Sequence, residues 1–154
     1  MIRNAAFAAL LATSSLSFAQ TNVLFVGKPD VVSAKAGATI DTRLPLELRS
    51  GYHVNSNTPS DPYLIPLRLT WNPGPLTPGE IAYPKPSMEK YSFSEKPLSV
   101  FSGRFELKTR FAVPAGAPPG LVTVAGKLRY QACNDRECLS PKTIDVALKV
   151  DVVK

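Results

Sequence analysis

The residues best suited to chemistry in this chain are its two cysteines, Cys133 and Cys138. They sit in Tyr130-Gln131-Ala132-Cys133-Asn134-Asp135-Arg136-Glu137-Cys138-Leu139-Ser140-Pro141. Four polar residues separate them, enough to turn a β-hairpin and bring the sulfurs opposite each other. A disulfide needs its Cα atoms roughly 4.4–6.8 Å apart, and facing positions on antiparallel strands lie about 4.5–5.5 Å apart. That geometry is feasible but tight, and a strained, accessible disulfide exchanges readily. Two readings stand, a passive staple and a redox couple. A loop this short removes little unfolded-state entropy, stabilising less than the ~3 kcal/mol of a loop of about 15 residues. A staple placed for stability would do better bridging distant strands.

Other chemistries are poorly supplied. A tetrahedral zinc site wants four Cys, His or carboxylate ligands, and the chain offers one histidine and two cysteines. That histidine, His53 in Gly51-Tyr52-His53-Val54-Asn55, reads as a hydrogen-bonded residue at a strand edge rather than a ligand. No Gly-x-Ser-x-Gly elbow supports a hydrolytic triad, and the Cys-x-x-Cys-His haem signature is absent. Neither a metal nor a cofactor is expected. The 18 basic and 12 acidic residues give a net charge of +6. They interleave without a basic run or an aromatic-basic stripe, which argues against nucleic acid as a partner.

The elements that must position the cysteines read as strands. Tyr63, Ile65, Leu67, Leu69 and Trp71 share one parity; so do Phe105, Leu107, Phe111 and Val113. Val122, Val124, Leu128 and Tyr130 form a third set, and Ile144, Val146, Leu148, Val150 and Val152 a fourth. Period two over such lengths marks half-buried strands. Asn22 to Val26, Val31 to Ala34 and Ile40 to Leu48 add shorter or less regular candidates, and Trp71 reads as core. The connections, among them Thr77-Pro78-Gly79, are dense in proline and glycine, and 15 prolines argue against long helices. Short strands with turn chemistry between them describe a β-sandwich or a small barrel. Continuing the parity of Tyr130 places Cys133 on the face away from the inferred core. Cys138 shares the parity of Ile144 and Val146, so a common face requires a kink, most naturally at Ser140-Pro141.

The N-terminus reads as a secretory signal over residues 1–19. Arg3 is the positive region, Ala5 to Leu11 the short apolar run, and Ser17-Phe18-Ala19 the cleavage site before Gln20. The apolar run is too short to span a bilayer as a helix, which takes about 20 residues, and no later segment is long and apolar enough. A soluble, exported protein is expected, in an oxidising compartment where a disulfide is reasonable; a bacterial periplasm fits best. Removing 19 of the 154 residues leaves 135, the size of a single domain over residues 20–154, and the loss of Arg3 lowers the net charge to +5.

At the cysteines the chain resembles the N-terminal periplasmic domain of the thiol:disulfide interchange protein DsbD. The resemblance rests on Tyr130-Gln131-Ala132-Cys133 followed by Cys138-Leu139-Ser140-Pro141. Gly51-Tyr52-His53-Val54-Asn55, Tyr91-Ser92-Phe93-Ser94 and Pro97-Leu98-Ser99-Val100-Phe101 add to it in order. It implies an all-β, immunoglobulin-like β-sandwich whose cysteine pair shuttles electrons. The reduced domain would pass them to thioredoxin-fold proteins such as disulfide isomerases and cytochrome c maturation thioredoxins. It would then be re-reduced by a thioredoxin-like domain fed from a membrane partner.

Carried over residue by residue, Cys133 and Cys138 are the catalytic pair and its disulfide, with Tyr130 and Gln131 beside them. The resemblance also implies a cap loop over the cysteines, for which Tyr91 and Phe93 are the nearest candidates, although the acidic-aromatic pattern of such a loop is not reproduced. Cys133, beside Arg136 and on the outward face, is the favoured attacking thiol. The chain ends at Lys154 without a transmembrane conduit or a thioredoxin domain, so the electron source and acceptor are expected to be separate proteins. The competing expectation is a non-catalytic immunoglobulin-like binding module whose disulfide only stiffens a hairpin. Reduction potential separates the two: structural disulfides lie below about −300 mV, exchange couples nearer roughly −270 to −120 mV.

Overall fold

A computed structural model describes residues 22–154; the secretory signal expected over residues 1–19 lies outside the described residues. Those residues form twelve strands and no helix, so none of them makes a helix long and apolar enough to cross a membrane. Strands β1 (Leu24–Val26), β3 (Thr39–Leu48), β9 (Arg104–Ala112) and β6 (Thr77–Ala82) make one sheet in the order β1-β3-β9-β6. The second runs β2-β12-β10-β5, from β2 (Val32–Lys35), β12 (Lys142–Val153), β10 (Gly120–Tyr130) and β5 (Arg68–Trp71). The third runs β11-β4-β8-β7, from β11 (Ala132–Cys133), β4 (His53–Asn55), β8 (Leu98–Ser102) and β7 (Ser87–Glu89).

Period two explains how the first two sheets close on each other. Leu44, Leu46 and Leu48 of β3 and Leu107 and Phe111 of β9 are buried on one inner face; Val124, Leu128, Tyr130, Val146, Leu148, Val150 and Val152 supply the other. Alternate positions carry charge outward, as in the cross-strand pairs Asp41–Arg110 and Asp145–Lys127. Such exposed pairs add little stability but agree with the register. Trp71 ties the two sheets. Its ring meets Phe111 edge-on at 5.4 Å between centroids, and its Nε1–H donates to Thr109 Oγ1 at 3.0 Å. Gly126 makes room for the indole: a Cβ there would lie 2.7 Å from both Trp71 Cε3 and the Thr70 carbonyl oxygen.

Two expectations fail, and proline accounts for both. The alternation from Tyr63 to Trp71 is strand only from Arg68. Tyr63 is 91% exposed, in a turn-rich stretch where Pro59, Pro62 and Pro66 each remove a backbone donor. Conversely, Thr77-Pro78-Gly79 is the start of β6 rather than a connection. It lies at a sheet edge with its register shifting between Pro78 and Ile81, which is where a strand tolerates proline.

Candidate functional site

The cysteines sit where the chain changes sheets. β10 ends at Tyr130; after Gln131 the chain leaves that sheet and pairs as β11 with β4, matching Ala132 to Val54 and Cys133 to His53. β4 is launched from a turn in which Tyr52 N–H donates to the Arg49 carbonyl and Gly51 takes φ +83°, a conformation L side chains rarely adopt. On its other side β4 pairs with β8, matching His53 to Ser102 and Val54 to Phe101. Alternation then sorts the residues. Val54, Ala132 and Phe101 join the apolar core, and His53, Cys133 and Ser102 occupy the opposite face of this third sheet.

Cys133 and Cys138 form a disulfide with Cα atoms 3.9 Å apart, and no free cysteine remains among the described residues. Asn134 organises the tip between them. Its Oδ1 accepts from the Arg136 and Glu137 N–H groups, both at 2.8 Å, and its own N–H donates to the Glu137 carbonyl at 2.9 Å. Gln131 clamps the base: its Nε2 donates to the Leu139 carbonyl at 3.1 Å, while Leu139 N–H donates to the Ala132 carbonyl at 2.8 Å.

The segment between β7 and β8 lies over the His53 face. The Tyr91 ring stacks on the His53 imidazole with centroids 4.0 Å apart and planes 20° apart, and Phe93 stacks on Tyr91 at 5.5 Å. Ser92 Oγ–H donates to the Asp135 carbonyl at 3.1 Å, which ties this loop to the hairpin tip. Lys90 Nζ laces the loop to itself through the Ser94 and Glu95 carbonyls. Tyr91 O–H donates to Glu89 Oε2 at 2.6 Å; burial, and then this bond to a carboxylate, push the phenol well above its ordinary value. Burial lowers the pKa of His53, with Glu89 pulling the other way, and burial raises that of Tyr130.

Exposure divides the two sulfur-bearing residues. Cys133 is 1% exposed, whereas Cys138 is exposed. Cys133 lies on the face that period two assigns it, away from the apolar core, but it is not in the open, because the Tyr91 loop lies over that face. Burial of Cys133 weighs against it as the sulfur that partners reach first. The change of strand direction falls on both sides of the hairpin, at Gln131 as well as across Leu139-Ser140-Pro141. Tyr130 is a core residue at 2% exposure, Gln131 is the clamp, and Phe93 is 42% exposed. His53 does not lie at a sheet edge, since β4 runs between β11 and β8. Nor is it satisfied: Nε2 is buried with no hydrogen-bond partner. Three residues that build the site escaped the sequence reading. Asn134 had a signal in the preference of Asn for backbone-bonded turns. Ser92 had none, since its partner Asp135 is met only through the fold, and Glu89, two residues from its partner Tyr91, belongs to no motif that marks it. No cluster of His, Cys, Asp and Glu suited to a metal ion occurs among the described residues.

The chain is similar to several solved domains. The N-terminal periplasmic domain of ScsB from Proteus mirabilis superposes with a TM-score of 0.54 at 11% identity, over 89% of this chain and 49% of that one. The chain thus spans about half the length of that solved domain. The Neisseria meningitidis DsbD N-terminal domain in the reduced form gives 0.47 at 16% identity, over 82% and 86% of the two chains. A type I cohesin of Pseudobacteroides cellulosolvens gives 0.47 at 12% identity, over 85% and 92%. No curated protein sequence matches the chain. The family described as thiol:disulfide interchange protein DsbD, N-terminal, matches residues 22–149, nearly the whole described chain and both cysteines. With its all-β, immunoglobulin-like sandwich and its disulfide-forming pair on a roofed hairpin, the chain belongs to the family of DsbD N-terminal domains.

Proposed function

We propose that this chain is a thiol–disulfide exchange domain in which Cys133 and Cys138 are the redox couple and thioredoxin-fold proteins are the partners. The observation that carries this reading is the asymmetry of the pair: Cys138 is open to solvent and Cys133 is buried behind it. A thiolate must approach a disulfide along one sulfur, and the attacked sulfur is chosen by access. Cys138 is therefore the sulfur that meets partners, and Cys133 is the resolving one. In the reduced domain the Cys138 thiolate attacks a partner disulfide. This forms a mixed disulfide and expels one partner thiolate; Cys133 then attacks Cys138 and expels the second.

Membership of the family supports the exchange chemistry. The leader-like residues 1–19, and the periplasmic location named for the ScsB domain, support a periplasmic site of action. We place the start of the mature chain at Gln20, and assign re-reduction to a membrane-bound thiol reductase acting through a thioredoxin-like domain. The Tyr91 loop restricts access to partners that can displace it.

Trapping tests the assignment. Cys133→Ser leaves Cys138 able to attack but nothing to resolve the product. It is expected to accumulate discrete, dithiothreitol-sensitive adducts with thioredoxin-fold proteins on non-reducing gels. Cys138→Ser, with only the buried sulfur, is expected to trap little, and the double variant none. Absence of adducts from both single variants, with a wild-type disulfide that resists a thioredoxin-like reductant, returns the hairpin to the role of a staple.

A further inference from the structure

His53 is a buried side chain beside the couple whose stacking role leaves a ring nitrogen unused. It is 2% exposed, and its Nε2 is buried without a hydrogen-bond partner. Buried polar groups are ordinarily hydrogen-bonded, so a nitrogen without a partner in the fold is a candidate to take up a proton in another state. The fold places it directly across the ladder from Cys133, on the same face; opposed antiparallel residues hold their Cβ atoms roughly 4.5–5.5 Å apart. In the oxidised state described here Cys133 has no proton to share, because its sulfur is bonded to Cys138. When the couple is reduced, a buried S–H appears across the ladder from the imidazole.

We propose that His53 is the proton acceptor for Cys133, the base that makes the resolving sulfur nucleophilic. This rests on the exchange reading above. In the resolving step the Cys133 S–H bond breaks, its proton passes to the imidazole, and the Cys133 electron pair attacks Cys138 Sγ. The bond between Cys138 and the partner sulfur breaks, and the partner leaves as a thiolate. The imidazolium then loses its proton to solvent through an open pocket of about 480 Å³, which His53 lines together with Tyr52, Glu89, Tyr91 and Asp135. Run backwards, an incoming thiolate attacks Cys138, Cys133 departs, and the imidazolium returns the proton.

The charged and titratable groups around the ring fit this use. Tyr91, stacked on the ring, has its own proton engaged by Glu89. Glu89 and Asp135 border the pocket with negative charge, which suits a transient imidazolium, and Ser102 is the uncharged cross-strand neighbour from β8. Burial lowers the pKa of the imidazole, so near neutral pH it is unprotonated and ready to accept.

The test separates attack from resolution. Reduced full-length protein is mixed with the chromogenic disulfide dithiobis(nitrobenzoate) in stopped flow. Attack by Cys138 releases one nitrothiobenzoate, and resolution by Cys133 releases a second. His53→Gln and His53→Phe are both used, the second because it keeps the ring that stacks on Tyr91; cooperative thermal unfolding verifies that each is folded. In the wild type the second phase is expected to slow as pH falls and the imidazole becomes protonated. In both variants the second phase is expected to slow on the order of 10²-fold relative to the first phase of the same variant and to lose the imidazole limb of its pH profile. A folded variant of either kind with the wild-type second-phase rate and pH profile overturns the role of His53 and leaves the exchange reading standing. A wild-type protein that releases no chromophore overturns the exchange reading, and this inference with it.

Discussion

Burial makes His53 a residue whose protonation is unfavourable in the folded chain and ordinary in the unfolded one. Its folded pKa lies below the ordinary imidazole value, chiefly through desolvation, with Glu89 opposing. The unfolded chain therefore binds a proton that the folded chain refuses. Stability from this residue is complete above the ordinary imidazole range, falls as pH drops through it, and levels off below the depressed folded value. Urea unfolding of wild type at about pH 8 and about pH 5 is expected to show a larger loss of stability than His53→Gln shows over the same interval. An equal loss in both would mean that the ring is not held neutral by the fold. At this scale the two sulfurs were legible, since two cysteines four polar residues apart leave few arrangements. The neighbour that faces Cys133 was not, because the pairing of β4 with β11 joins segments some eighty residues apart and leaves no local trace.

The Tyr91 loop is an element with no regular structure of its own, held by a stack, a serine and a lysine. An aromatic stack contributes roughly 0.5–1.5 kcal/mol beyond its buried area. Removing it should raise the population of the lifted loop roughly two- to tenfold. Tyr91→Ala is accordingly expected to be reduced by dithiothreitol faster than wild type by that factor, read as thiol release over time. A rate equal to that of wild type would mean the loop does not limit access to the disulfide. The long strands were readable as elements: β3, β9, β10 and β12 alternate cleanly because each has one wet and one dry face. The third sheet was not. β4, β7 and β11 span two or three residues each, too few for a period to register, and β4 is buried at every position.

Across the whole molecule, one core runs through all three sheets, with Val54, Phe101 and Ala132 of the third joined to the residues of the first two. That core does not depend on the sulfur bridge. The Cys133→Ala/Cys138→Ala double variant is expected to unfold cooperatively, with a stability loss on the order of 1–3 kcal/mol, since a disulfide closing so short a loop constrains the unfolded chain little. Equilibrium denaturation measures this directly, and loss of cooperative structure would make the bridge a scaffold instead.

The hydrogen bonds of the hairpin have one more consequence. Asn134 N–H on the Glu137 carbonyl, and Leu139 N–H on the Ala132 carbonyl, already hold together the two points that the sulfurs join. Making or breaking the bridge then changes the chemistry of two atoms and almost none of the outline of the molecule. A loaded domain and a spent one would present the same silhouette, so a partner can tell them apart only by trying the reaction.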